Sequence, residues 1–272
     1  MIDPFDYKEP GCLMCEGEEF YNYDPEKPQG SIPIRNILQK VDDSLNREDY
    51  DSVKSTLSYW LQEAKMLKDK RGELTLQSEL MGLYRKLGDK DNAVKAAERG
   101  LTLIEELGIE QSVSAATIFI NAATVFKTFG LSEKSLPLFQ RSEKLYTDNL
   151  DKNDPRFGAL YNNYGLALAD CGRTDEAEKS FKQAIEIMEK NENGSTECAI
   201  TLLNMADLFF DNDERATELC EKAWMLLISD DIAHDTYTAF VYKKCAPAFR
   251  AHGFFLKAGQ LETEADKIYA RS

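Results

Sequence analysis

The feature that most limits what this chain can fold into is a repeat of about 42 residues that comes round five times. Residues 158–191 read GALYNNYGLALADCGRTDEAEKSFKQAIEIMEKN. Tyr161, Tyr164 and Leu168 surround the small Gly165, a turn containing Gly172 follows, and Ala177, Phe181 and Ala184 come next at spacings of four and three. This pattern predicts two amphipathic helices joined by a short turn, with small residues where the helices cross most closely.

The frame recurs on both sides. The position of Gly165 is taken by Met81, Ala123, Gly165, Ala206 and Ala246 in successive first helices, at spacings of 42, 42, 41 and 40. The position of Ala177 is taken by Ala93, Ser135, Ala177, Ala216 and Ala258, at spacings of 42, 42, 39 and 42. Met81 alone is large, with Gly82 beside it, and the spacing of 39 comes from a shorter turn at 211–215. A weaker hairpin precedes these: Ile34, Ile37, Leu38, Val41 and Leu45 mark one helix, and Val53, Leu57, Trp60, Leu61 and Ala64 the next. Six hairpins over 31–272, after a tail at 1–30, account for the whole length.

Boundary signals agree. Asp154-Pro155 reads as an N-cap with proline at the first helical position, and Ser132 and Thr174 are candidate caps of second helices. Gly88, Gly130, Gly172 and Gly253 fall inside four hairpin turns, where a left-handed residue ends a helix. Pro247, one residue past Ala246, is expected to bend its helix. Strand signals are absent, so the expected class is all-α. Because one hairpin buries a single face of each helix, neighbours must stack to complete a core.

The Gly/Ala, Tyr/Phe and Ala spacing resembles the tetratricopeptide repeat, strongly over 74–191 and more weakly outside it. Ser135-Leu136-Pro137-Leu138-Phe139-Gln140-Arg141-Ser142 and Tyr161-Asn162-Asn163-Tyr164-Gly165 look like the longer variety of kinesin light chains. The period exceeds the family's usual length of about 34 by roughly one turn per helix. The resemblance implies a right-handed superhelical solenoid whose inner surface is lined by the first helices.

Catalysis is not expected, because no convergent constellation is present. The chain has two histidines, His234 and His252, both at helix ends. It lacks a glycine-rich phosphate loop, an HExxH motif and a nucleophile elbow. Cofactors are therefore not expected. The 33 Lys and Arg against 48 Asp and Glu leave a net charge of -15, which would repel a phosphate backbone and disfavours nucleic acid. No apolar run approaches the roughly 18 residues of a spanning helix, and Met1-Ile2-Asp3-Pro4-Phe5-Asp6 is no secretory signal, so a cytoplasmic, membrane-free protein is expected.

The tail at 1–30 holds eight acids against Lys8 and Lys27, together with four prolines and Phe5, Tyr7, Phe20, Tyr21 and Tyr23. Aromatics at this density do not suit a solvated linker. The tail either caps the first hairpin, the plainer reading, or lies extended in a groove. Cys12 and Cys15 form a CxxC, a weak candidate for a metal or dimer-bridging site because no second pair exists to complete four zinc ligands. Cys171, Cys198, Cys220 and Cys245 fall singly in apolar helical patterns and read as small hydrophobes.

The inner surface is the more informative place. Two residues before each crossing point come Glu79, Asn121, Asn163, Asn204 and Lys244, and one residue earlier Ser78, Ile120, Asn162, Leu203 and Lys243. Four residues after it come Arg85, Lys127, Ala169, Phe210 and Arg250. Asn offers a donor and an acceptor together, which matches the main chain of an extended peptide. The resemblance implies the same contact for Asn121, Asn163 and Asn204. Asn162 stands beside them, and Arg85, Lys127, Lys243, Lys244 and Arg250 would attract acidic groups. The cations sit towards the two ends, which disfavours the dicarboxylate clamp of chaperone-binding members. The expected function is a non-catalytic protein–protein interaction module holding a peptide or partner segment in its groove. Two alternatives are a regulatory protein similar to the peptide receptors of quorum sensing, and a self-assembling scaffold or homodimer.

Overall fold

Small residues let two helices approach closely, and the crossing ladders do this throughout. Residues 29–191, 194–210, 213–229 and 232–271 are described by a computed structural model. Among them, every regular element is helical. Twelve α-helices form six antiparallel hairpins: α1 (Ile34–Leu45) with α2 (Tyr50–Met66), α3 (Lys70–Lys86) with α4 (Lys90–Leu107), and α5 (Val113–Thr128) with α6 (Ser132–Asn149). Then come α7 (Arg156–Asp170) with α8 (Thr174–Met188), α9 (Ser195–Ala206) with α10 (Asp213–Leu227), and α11 (Thr236–Ala251) with α12 (Phe255–Tyr269). A 3-10 turn at Asp207–Phe209 extends α9.

The chain divides into two compact units between Asn149 and Leu150. In the first, α2 packs on α3, α4 packs on α5, and α3 lies beside α5. In the second, α8 packs on α9, and α9 lies beside α11. Each is an all-α repeat stack of three hairpins, in which second helices carry a polar outward face and first helices are largely enclosed.

All ten residues of the two crossing ladders are buried. Gly165 faces the ring of Phe181, and a Cβ added there would lie 2.7 Å from that fully buried ring. Met81 is accommodated differently: its methyl group occupies the space that a side chain at Gly100 would need, 2.6 Å from an added Cβ. Gly100 heads a third ladder that the sequence reading missed, continued by Ser142, Ala184, Ala223 and Ala265, all buried.

The turns are built to one plan. Gly88, Gly130, Gly172 and Gly253 have φ of 70, 75, 73 and 83°, the left-handed region in which a Cβ is strained. Glu48 and Lys68 hold the same conformation without being glycine, at 56 and 54°. Asp49, Asp69 and Asp89 then cap the next helix, their carboxylates accepting from the backbone N–H of Ser52, Gly72 and Asn92 at 3.1, 2.9 and 3.2 Å. This recurring Asp cap was legible at a spacing of 20 but was not singled out. Asp154 accepts from the Arg156 N–H at 3.0 Å, at the start of α7. Thr174 is the first residue of α8 and no side chain caps that helix, so the expected Thr174 cap is not made. The helix α11 runs through Pro247 to Ala251.

Between α3 and α4, the Arg99 guanidinium grips the buried Glu73 carboxylate with two bonds of 2.8 and 2.9 Å and reaches Glu106 at 2.6 Å. Lys70 lies 3.4 Å from Glu106. The Arg99 hydrogen bond holds the Glu106 carboxyl below its usual range near 4.5.

Two predictions follow from these contacts. Gly165→Ala should cost about 1–3 kcal/mol, because the enclosed Phe181 ring cannot move aside, whereas Lys68→Gly should be neutral to stabilising by up to about 1 kcal/mol; urea unfolding checks both. A carboxyl with a lowered folded-state pKa adds stability above its unfolded value and loses it as pH falls through the folded value. The melting-temperature gap between wild type and Glu106→Gln should therefore be widest near neutrality and close as the pH falls through the acid range in which the folded carboxyl takes up its proton. A gap that stays constant would remove the network from the acid limb.

Candidate inner face of the first helices

Within each unit, one pair of first helices meets in the same register, so equivalent residues of successive hairpins come together. Asn121 Nδ2 donates to Ser78 Oγ at 2.8 Å. Asn204 Nδ2 donates to Asn162 Oδ1 at 3.1 Å. The pairs repeat one geometry: the residue two before the crossing point bonds the residue three before it in the preceding hairpin. The separations in sequence are 43 and 42.

Asn121, Asn162, Asn163 and Asn204 are all buried, the last three almost completely. The sequence reading placed these amides on an open concave surface. The structure instead puts Asn121 and Asn204 in the seam between stacked first helices, because an amide enclosed there needs a partner and the register supplies one. Asn163 Nδ2 bonds the Ala159 carbonyl of its own helix at 3.0 Å. Two polar atoms of α7 are left buried without a hydrogen-bond partner, Asn162 Nδ2 and Asn163 Oδ1. One is a donor and the other an acceptor, on adjacent residues.

The five cations divide. Lys243 bonds Asp266 at 2.6 Å and Arg250 bonds Glu262, so both are engaged by α12. Those bonds are the first cause of the raised pKa of each cation. Both ion pairs are solvent-exposed, which makes them weak. Lys244 is half-buried, with its ammonium 5.4 Å from the centre of the Phe240 ring. Arg85 and Lys127 are half-buried at equivalent positions of α3 and α5.

The remaining candidates carry little chemistry. His234 is exposed ahead of the Asp235 cap, and His252 ends α11 with Nε2 2.9 Å from Asp207 Oδ1. Burial pushes the Cys198 and Cys220 thiols up to about 12, and the enclosed Cys245 thiol rises as well, which makes all three poor nucleophiles. Among the described residues, no group of His, Cys, Asp and Glu is arranged to hold a metal ion. Cys12, Cys15 and the tail lie outside the described residues. No helix among the described residues is long and apolar enough to cross a membrane.

Models of the tetratricopeptide repeat match residues 156–223 and 82–106. No curated protein matches the sequence. Among solved structures, the tetratricopeptide-like repeats of a kinesin-light-chain-type protein of Podospora anserina are similar at 19% identity and a TM-score of 0.53, covering 73% of this chain and 95% of that one. RapI in its apo form is similar at 13% identity and a TM-score of 0.61, covering 89% and 100%. PilW, a type IV pilus biogenesis factor, is similar at 14% and 0.54, covering 89% and 96%. Repeat length, hairpin packing and both matched stretches agree: residues 82–106 and 156–223 match tetratricopeptide repeats, within an all-α repeat stack of the same fold as these solved structures.

Proposed function

We propose that this chain is a non-catalytic protein-interaction module that holds an extended segment of a partner along the inner face of its first helices. The observation that carries this reading is the stack of helical hairpins itself, with tetratricopeptide-repeat models matching residues 156–223 and 82–106.

Asn121 and Asn204 support the reading indirectly, by fixing the spacing of first helices within each unit. Lys243 and Arg250 contribute through exchange, since a ligand carboxylate would have to replace Asp266 or Glu262. Arg85, Lys127 and Lys244 add positive charge on a strongly acidic chain. Nothing in this arrangement supplies a nucleophile with an adjacent base.

A peptide selected from a displayed library against the intact protein provides the ligand for a test. Lys127→Glu should weaken that peptide by about tenfold, equivalent to 1.4 kcal/mol, while the melting temperature stays within a few degrees. Unchanged affinity in Lys127→Glu, with binding abolished by Lys179→Glu and Lys182→Glu on the exposed face of α8, would place recognition on the outside.

A further inference from the structure

Stacked hairpins have a mating side, and in the second unit that side can be followed to a place where it lies open. Leu203 of α9 and Cys220 of α10 are fully buried, and the Trp224 ring of α10 packs edge-on against Phe249 of α11 at 5.9 Å. In the hairpin of α11 and α12, Lys243, Glu262 and Asp266 hold those three places. The place of Lys243 is also that of Ser78 and Asn162, which receive the amides of the following hairpin. Here Lys243 and Asp266 are exposed and Glu262 is half-exposed. Pro247 and Arg250 beside them are exposed, Phe255 is 68% exposed, and a Cβ built on Gly259 would meet nothing within 4 Å. The mating side of α11 and α12 is therefore uncovered.

The chemistry of this face is its own complement. Lys243 bonds Asp266 at 2.6 Å and Arg250 bonds Glu262, so cations line α11 and acids line α12. The two charges of each sign cancel, on a chain of net charge -15. A two-fold axis that sets α11 of one copy over α12 of another brings each cation to the opposite copy's acids and leaves the intrachain pairs in place. A contact of this kind needs one self-complementary patch, and excluding water there strengthens ion pairs that are weak when exposed. The outward side of α1 is different: Arg35, Asn36, Gln39, Lys40, Asp42 and Asp43 are exposed and all polar. Stacking α12 onto α1 of another copy would set Phe255 and the 85% exposed Leu256 against a wholly polar helix. Helices of 16 and 15 residues are about 23 Å long and lie about 10 Å apart. The face then measures about 450 Å² and a pair of copies buries about 900 Å², the scale of a transient contact.

We infer that the uncovered side of α11 and α12 binds the same side of a second copy of this chain, in a weak two-fold contact with charges crossed between α11 and α12. The inference goes beyond the groove reading and does not rest on it.

Sedimentation of the full chain from micromolar to millimolar concentration tests it. The mass should rise from one chain to two and stop there. Arg250→Glu and Glu262→Arg should each weaken pairing by about tenfold or more, because each sets like charges across the axis. Their melting temperatures should stay within a few degrees, since the intrachain pair is exposed. An equal mixture of the two variants should pair again, each supplying the charge that the other reversed. A mass of one chain throughout would overturn the inference. Growth beyond two chains would mean head-to-tail stacking and would overturn it too. So would association that the variants leave unchanged or that mixing fails to restore. If the library-selected peptide binds a chain that never pairs, the inference falls and the proposed function stands; pairing with no peptide found gives the reverse.

Discussion

A helical hairpin in this chain buries one face of each helix and leaves the other to its neighbour, so everything depends on consecutive hairpins meeting in one register. The apolar ladders make the meeting favourable but do not fix it, because alanine against alanine tolerates sliding. The buried amides do fix it. Asn121 on Ser78 and Asn204 on Asn162 are satisfied only when the hairpins are aligned, and misalignment would strand both groups away from water. A polar contact of modest net strength thereby selects one arrangement over many of similar apolar burial.

The same logic separates what the sequence revealed from what it hid. Crossing positions were legible because close helix approach demands small residues at a fixed period, and Gly165, Ala123 and Ala206 have no other reason to recur. The left-handed turns were legible for a similar reason, since Gly88, Gly130, Gly172 and Gly253 sit where a Cβ is strained. The asparagines were found but placed on an open surface. Periodicity alone cannot distinguish a residue that faces a groove from one a fraction of a turn away that faces the next hairpin. The partners gave the answer: Ser78 and Asn162 carry polar groups at the adjacent register, and reading them as acceptors would have predicted the seam. The substitution of Gly100 for a larger residue opposite Met81 was hidden because it needs both helices in view.

Not every amide of the first helices is consumed by stacking. On α7, one donor and one acceptor remain buried without partners, Asn162 Nδ2 and Asn163 Oδ1. Among the cations, Lys243 and Arg250 are engaged by acids of α12, and Arg85 and Lys127 hold equivalent half-buried positions of α3 and α5.

The central claim is that the amide pairs lock hairpin register, and a double-mutant cycle over Ser78→Ala and Asn121→Ala measures it most directly. Each single change should destabilise the fold, and the pair should show a coupling energy of about 1 kcal/mol in urea unfolding. Single effects that add to within about 0.3 kcal/mol would show that the two groups do not depend on each other, and the apolar ladders would then have to set the register unaided.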